Sequence, residues 1–414
     1  MRICFVSRRY WPAVSGMSAY AENLLRHLVR EGHDVTLVSQ YRGDPVGRGV
    51  YGGGPPPPER VPAGVHVVAL EAHGEQEVVE GRPADFEADV ATMRDTIAAE
   101  HARAPFDLLH AQYAYPNGLA VLRAAHDLGL PAVVSVQGGD GHWVGTCCAT
   151  HETLVRAVFA HAPALVIGSS SFAAEVSQRH GVDPGRWTIV SGATDTERFT
   201  PRREPGALSD PPVLLYHGRV DARKGVLDLL DAVADLLARG RRLQLVVSGI
   251  GPDTATVAER VTELGLDEHV TQLGYTAYED AHEVYRRGDV FVSPTYAEGF
   301  SNTVLEAMAS GLPVVSTDVV GVRDCVRDGD NGLLVPPKDP AALADGIARV
   351  LDDPGLRTGL ATRALDEVRA RWSWPVIAHR LTDVYDAVRD VPVPAIPDVA
   401  VDPDCRFRAA PHLL

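Results

Sequence analysis

The chain has 414 residues, 45% apolar and 23% charged, with a formal net charge of −16 and a pI near 5.4. At ~100–200 residues per domain it has room for two or three globular domains. Its acidic balance excludes the clustered basic face that nucleic acids and anionic membranes require, and favours at most a cationic small molecule.

The first apolar run, Ile3–Ser7, is closed by Arg8-Arg9. It reads as a buried strand, because a signal peptide needs ~7–15 apolar residues and a cleavage site. Tyr10 to Ser18 (YWPAVSGMS) then leaves this strand and opens a helix over Ala19–Arg30. Gly16 would let backbone approach a ligand there, with Ser18 a possible cap; glycine serving the turn alone is the competing reading. Strands follow at Val35–Ser39 and Val65–Leu70, with 42–60 (containing GGGPPPP) expected as a mobile loop between them. Beyond lie helical patterns at Ala84–Ala102, Leu119–Leu128 and Leu154–His161. They alternate with strands at Leu108–His110, Ala132–Val136, Leu165–Gly168 and Thr188–Val190. Near-continuously apolar strands alternating with helices imply a parallel sheet covered on both faces.

The segment 200–212, TPRREPGALSDPP, interrupts this rhythm as a linker would. A second series begins after it, with strands at Val213–Tyr216, Leu243–Val247, Val270–Leu273, Val290–Ser293, Val314–Ser316 and Gly332–Val335. Helices are expected at Val226–Leu237 and Leu305–Ser310. The fold class is therefore α/β, two Rossmann-like doubly wound domains facing a cleft, with ligands beyond the carboxyl ends of the strands. The domains are placed at 1–205, 206–372 and 373–414, the last a helix plus a Pro-rich extended tail. No run of ~18 apolar residues occurs, so no membrane span is expected. The cysteines, Cys4, Cys147, Cys148, Cys325 and Cys405, form no CxxC. A structural zinc site is therefore not expected, Cys147-Cys148 reads as buried thiols, and a reducing cytoplasm is the expected compartment.

Three motifs could carry chemistry. EGFSNTVLEAMA, from Glu298 to Ala309, follows a strand and enters a helix that Ser301 or Asn302 could cap. Its amino terminus suits a diphosphate, and Glu298 and Glu306, about two helical turns apart, could accept hydrogen bonds from vicinal hydroxyls. GRVDARKG, from Gly218 to Gly225, supplies Arg219 and Lys224 as fixed cations for a leaving diphosphate. Lys224 carries extra weight because the chain writes lysine at only two positions, the other being Lys338, read as a plain surface residue. The third motif is the Gly16 turn. Solvated charge is the bland alternative for the first two. Asp328-Gly329-Asp330 has metal-like spacing but reads as a turn. Gly249-Ile250-Gly251 mimics a dinucleotide fingerprint, yet lies mid-domain with Pro252 starting a helix.

Together, the Glu298/Glu306 spacing, Arg219/Lys224 and Gly16 resemble the retaining glycosyltransferase family 4, of GT-B fold. The similarity extends through Asp107–His110, the Gly192–Phe199 turn and VRDGDNGLLVPP at 326–337. The resemblance implies an acceptor domain first and a nucleotide-sugar domain second, with the last helix, about Ser373–Val388, crossing back. Glu306 would then bind ribose and Glu298 the donor sugar, while Arg219 and Lys224 hold the diphosphate. Gly218 and Gly299, Phe300, Ser301, Asn302 and Thr303 would line sugar and phosphate, and Gly274-Tyr275 would meet the base. It also implies retention of configuration without a metal or other cofactor, the leaving phosphate acting as base.

The departures from the family pattern lie in the first half. His-x-His reads His110-Ala111-Gln112, and His-Gly-x-Asp reads Gln137-Gly138-Gly139-Asp140, followed by His142. Gln112, Gln137, Asp140 and His142 are the expected acceptor contacts. Glutamine does not titrate, so activity is expected to depend less on pH near 6–7 than it would with histidine. The expected reaction moves a hexose or N-acetylhexosamine from a UDP-sugar to a small soluble acceptor, read as an aminocyclitol such as 2-deoxystreptamine in antibiotic biosynthesis. A polysaccharide or lipid-linked transferase, a nucleotide-sugar epimerase and a non-catalytic sugar-nucleotide binder are the alternatives. The sequence leaves the oligomeric state open.

Overall fold

Every apolar run expected as a strand forms one in the computed structural model, which describes residues 1–13, 15–44, 52–74, 85–400 and 405. The strands of the first half are β1 (Arg2–Ser7), β2 (Asp34–Tyr41), β3 (Val65–Glu71), β4 (Leu108–Gln112), β5 (Ala132–Val136), β6 (Ala164–Ile167) and β7 (Trp187–Ile189). They form one sheet in the order β3-β2-β1-β4-β5-β6-β7, all neighbours parallel. Those of the second half are β8 (Val213–His217), β9 (Gln244–Ser248), β10 (Val270–Gly274), β11 (Val290–Ser293), β12 (Val314–Thr317) and β13 (Leu333–Val335). They form a second parallel sheet, β10-β9-β8-β11-β12-β13.

In each sheet the chain runs outward to one edge and then restarts beside its first strand. The order reverses between β1 and β4 in one sheet and between β8 and β11 in the other. Loops leaving adjacent strands at such a point diverge and open a crevice, the usual ligand position in these sheets.

Helices cover the sheets through apolar stripes at helical spacing. On Val226–Ala238, the residues Val226, Leu229, Leu230, Val233 and Leu236 are fully buried against a core that includes Leu214, Leu245 and Val290. At about 1.5–3 kcal/mol per buried large aliphatic side chain, this stripe fixes the helix to its sheet. Helices at Ser170–His180, Pro340–Asp352 and Pro354–Arg371 went unnamed in the sequence, although each has a capping signature. Ser169, Asp339 and Asp353 accept from backbone amides in the first turns, the two aspartates ahead of a proline at the first helical position.

The chain divides into one unit of Met1–Val190 with Ala378–Leu414 and another of Ser191–Ile377. The division falls ahead of the Pro-rich segment where the sequence placed it. The turn after Val190 belongs with the second half: Thr194 bridges to Ser373, and Gly192 lies where a Cβ would strike the Phe300 ring and Asn302. The last helix, Trp374–Val388, joins the first unit from Ala378 onward. Of the expected loop at 42–60, residues 45–51 lie outside the described residues, and Pro58–Arg60 forms one turn of 3₁₀ helix. Of the tail, 391–400 is irregular, while Pro403 lies outside the described residues.

Candidate functional site

In the second unit the loops from β8 and β11 meet at the switch point. Gly225 has φ of 70°, and a Cβ there would collide with the carbonyl oxygen of Pro294. Glycine therefore lets one loop rest directly on the other. The neighbouring residue, Lys224, donates from Nζ to Oε1 of Glu298 at 2.6 Å. Both side chains are about a quarter exposed, at 30% and 21%. Gly321, at φ 79°, holds the other side of this loop, since a Cβ there would meet the carbonyl of Glu298. The Glu298 amide is tied down by the Val320 carbonyl at 3.2 Å.

Arg219 sits in the same β8 loop, half exposed, its Nε 3.6 Å from Asp221. Asp221 is held much more tightly by Arg223, whose Nε and Nη2 donate at 2.9 and 2.6 Å. That fork and the Arg223 amide hold the Asp221 carboxyl at about 2. The sequence reading missed Asp221 and Arg223. Their work is to keep the loop folded while Arg219 stays loosely held. The Gly249-Ile250-Gly251 sequence packs on this loop: Cβ atoms at Gly249 and Gly251 would meet the carbonyls of Gly218 and Val220. Its glycines thus have a packing reason without any dinucleotide. Lys338 is exposed at the surface, its ammonium lying 5.0 Å from the centre of the Tyr296 ring.

The helix expected at Leu305–Ser310 begins earlier, running Asn302–Ala309. Ser301 stands at its N-cap position but makes no capping hydrogen bond, and Asn302 is already helical, so neither caps it as expected. The first-turn amides, which have no partner inside a helix, are left to other acceptors. Asn302 Oδ1 is buried and has no hydrogen-bond partner among the described residues.

Four residues along this helix, Glu306 is 9% exposed and accepts from Tyr285 Oη at 2.7 Å. Burial pushes its carboxyl up to about 7, against the pull of the Tyr285 hydroxyl and Arg198. Glu306 is thus a source of pH sensitivity separate from the glutamines of the first half. Tyr285 also donates to the Thr303 carbonyl at 3.2 Å and packs edge-on against His217, which burial holds neutral at about 4. Sequence reasoning missed Tyr285, since nothing local marks a tyrosine on a short helix as a carboxylate partner. Tyr275 is exposed just past β10, whose last residue, Gly274, accepts from the Gly249 amide at 2.8 Å.

In the first unit Gly16 is the exposed first residue of helix Gly16–Arg30, with no atom of the described residues within 4 Å of where a Cβ would be. Ser15, and not Ser18, caps this helix; Ser18 Oγ donates to the Ala13 carbonyl.

The expected acceptor contacts divide. Gln112 is fully buried at the end of β4, accepting from Ser7 Oγ at 2.7 Å and donating to the Met17 carbonyl and Gln137 Oε1 at 3.2 and 3.5 Å. Asp140 is fully buried as well, accepting from the amides of Ala114, Gln137 and Gly138 at 2.8–2.9 Å. Burial raises its carboxyl above the usual range despite these three donors. Both side chains organise loops, and neither presents a charge or amide to solvent in this structure. Gln137 is half-buried. His142 shares a hydrogen bond with Glu175 at 3.0 Å and packs on Phe172, its Nε2 buried and unpartnered among the described residues. His110 is enclosed between Tyr385 and Ser135, and burial lowers its pKa to about 3.

The carboxylates of Asp328 and Asp330 are turned to local work: Asp328 accepts from the Leu334 amide, and Asp330 pairs with Arg327 and Arg363. Among the described residues, the groups that could hold a metal ion are instead Cys147, Cys148, His151 and Cys405, whose ligand atoms lie within 4.8 Å of one another.

Two doubly wound parallel units, one with a cation–carboxylate pair at its switch point, define an α/β nucleotide-binding enzyme. The chain matches the families "Glycosyl transferases group 1" over 197–366 and "Glycosyl transferase 4-like domain" over 15–193. It is 30% identical over 405 residues to a D-inositol 3-phosphate glycosyltransferase of Geodermatophilus obscurus, spanning 91% of this chain and 85% of that protein. It is 35% identical over 192 residues to the α-D-kanosaminyltransferase of Streptomyces kanamyceticus, spanning 46% of this chain and half of the relative's length. In structure it is similar to sucrose-phosphate synthase from Thermosynechococcus elongatus, with a TM-score of 0.75, 24% identity and coverage of 93% and 98% of the two chains. The chain belongs to the group 1 glycosyltransferases, with the GT-B fold, and transfers a sugar from a nucleotide-sugar donor. No helix among the described residues is long and apolar enough to cross a membrane.

Proposed function

We propose that this enzyme transfers a hexose or N-acetylhexosamine, with retention and without a metal at the diphosphate, from a UDP-sugar to a small soluble cyclitol. The observation that carries this reading is the Lys224–Glu298 pair at the β8/β11 switch point. Lys224 and the loosely held Arg219 supply positive charge where the leaving diphosphate gathers negative charge, the work a divalent ion would otherwise do. Glu298, freed from Lys224 when diphosphate takes the ammonium, accepts hydrogen bonds from the sugar hydroxyls. The uncapped amides of helix Asn302–Ala309 offer donors to phosphate, and the unpartnered Asn302 Oδ1 an acceptor for a sugar hydroxyl. Glu306, with Tyr285 behind it, accepts from the ribose hydroxyls.

For the acceptor, an aminocyclitol such as 2-deoxystreptamine, in antibiotic biosynthesis, remains our first reading. It rests on the net charge of −16 and the partial similarity to a kanosaminyltransferase. A second reading, a phosphorylated cyclitol, is favoured by the near full-length similarity to the inositol-phosphate enzyme. Mass spectrometry of reactions with UDP-N-acetylglucosamine or UDP-glucose and either acceptor tests both. The anomeric coupling constant of the product reports retention. Addition of Mg²⁺ or Mn²⁺ should leave the rate unchanged. Sugar nucleotide consumed to a new nucleotide sugar without acceptor would indicate an epimerase instead.

A further inference from the structure

The described residues of the tail after the last helix touch the first unit at several points. The Val393 carbonyl meets His126 at 2.9 Å, Asp398 pairs with Arg123 at 2.8 Å, and the Ala400 carbonyl accepts from Thr150 at 3.0 Å. Cys405 is buried beside His151. Its Sγ lies 3.3 Å from His151 Nδ1, while Cys147 and Cys148 place their Sγ atoms 3.1 and 3.4 Å from the same nitrogen. Three thiols thus converge on one imidazole nitrogen from two segments 254 residues apart.

We infer that Cys147, Cys148, His151 and Cys405 form a tetrahedral zinc site that fastens the carboxy-terminal tail to the loop and helix carrying Asp140, His142 and His151. With Zn–S near 2.3 Å and Zn–N near 2.0–2.1 Å, a tetrahedron sets its sulfur-to-nitrogen edges at about 3.5 Å, close to those seen here. The ligand set, three sulfurs and one imidazole nitrogen, is a closed structural type and leaves no position for substrate. Local geometry explains how two of the ligands assemble. Cys148 is the N-cap of helix Ala149–His161, its sulfur accepting from the His151 amide at 3.5 Å, so that residue and His151 share one side of the first turn. His151 is further fixed by edge contacts with Phe86 and Tyr115, at 5.7 and 4.7 Å between ring centres. A metal here would close the chain between helix and tail and order the Gln137–Thr146 segment that leads into Cys147. Binding would displace thiol protons to solvent as the sulfurs become thiolates.

This inference does not rest on the glycosyl-transfer reading, and its test has no activity readout. The full chain, purified under reducing conditions after growth with zinc, is expected to hold about one zinc per chain by elemental mass spectrometry. Cys405→Ser and His151→Gln are expected to lower that to below about a fifth. Cobalt(II) titrated into the reduced, metal-free chain should give an intense thiolate-to-metal absorption in the near ultraviolet together with tetrahedral visible bands, both lost in Cys405→Ser. A wild-type chain that takes up neither zinc nor cobalt would overturn the site. So would a Cys405 disulfide to Cys147 or Cys148 recovered from the freshly isolated, alkylated chain.

Discussion

Lys224 and Glu298 lie 74 residues apart in sequence, yet their side chains meet at 2.6 Å where the second sheet reverses its strand order. The contact exists because Gly225 lets the β8 loop touch Pro294 of the β11 loop. Each member is partly exposed, so the pair is a poor source of stability and a good candidate for exchange with a ligand.

Lys224→Ala should therefore leave folding nearly intact while removing charge stabilisation of the leaving group. We expect kcat/KM to fall about 10²–10³-fold, the usual range for one preorganised electrostatic contact. The unfolding free energy should change by no more than about 1 kcal/mol, as for other accessible pairs. Steady-state kinetics and a thermal melt on the same preparation check both halves of this expectation.

The position of Glu298, rather than its charge alone, should matter. Gly321→Ala places a methyl group against the Glu298 carbonyl at a backbone φ of 79°. We expect the loop to shift and turnover to drop at least about ten-fold, since misplacement by an ångström can cost a hundred-fold. Direct strain from φ adds about 1–2 kcal/mol. A variant with wild-type turnover would show that Glu298 needs no such support.

Glu306 supplies the pH dependence. Its carboxyl titrates at about 7 in the folded chain, above the ordinary 4.5. Protonation removes the better hydrogen-bond acceptor, so donor KM should rise as pH falls through about 7. Glu306→Gln should bind donor more weakly but with little change across that range. For stability the sign is opposite: the folded state binds this proton more tightly than the unfolded chain, so the group's contribution declines as pH rises from 4.5 through 7. Glu306→Gln should accordingly melt higher than wild type at pH 8, with the difference closing toward pH 4.5.

The buried amides and carboxylate of the first unit make a contrasting prediction. Asp140→Ala would strand three backbone amides, and Gln112→Ala would empty a fully buried position and leave the Ser7 hydroxyl with the Arg9 carbonyl as its acceptor. Each should cost about 1–3 kcal/mol or more in stability. Any loss of acceptor affinity should track the loss of stability in denaturant melts. A selective rise in acceptor KM with an unchanged melt would restore the direct-contact role.

The two-sheet architecture was legible because parallel strands buried on both faces leave long apolar runs with little ambiguity of period. The β8 and β11 loops were legible too, since glycine, lysine and carboxylate residues cluster between strand and helix in both. What escaped was everything set by tertiary approach. Tyr285 meets Glu306 from a five-residue helix with no signature of its own. The burial of Gln112 and Asp140 and their bonds to neighbouring loops depend on those loops folding over them, which residue type alone does not show. Cys405 is brought to Cys147, Cys148 and His151 by the course of the tail, and no local spacing rule could have found a ligand set so divided.

The central claim is that Lys224 meets the diphosphate of the donor. Calorimetric titration of UDP into the wild-type chain and into Lys224→Ala, at one salt concentration, addresses it without chemistry intervening. The account predicts that UDP binds the wild-type chain and binds the variant at least about ten-fold more weakly, a difference of about 1.4 kcal/mol. Equal affinity in the two proteins would contradict it.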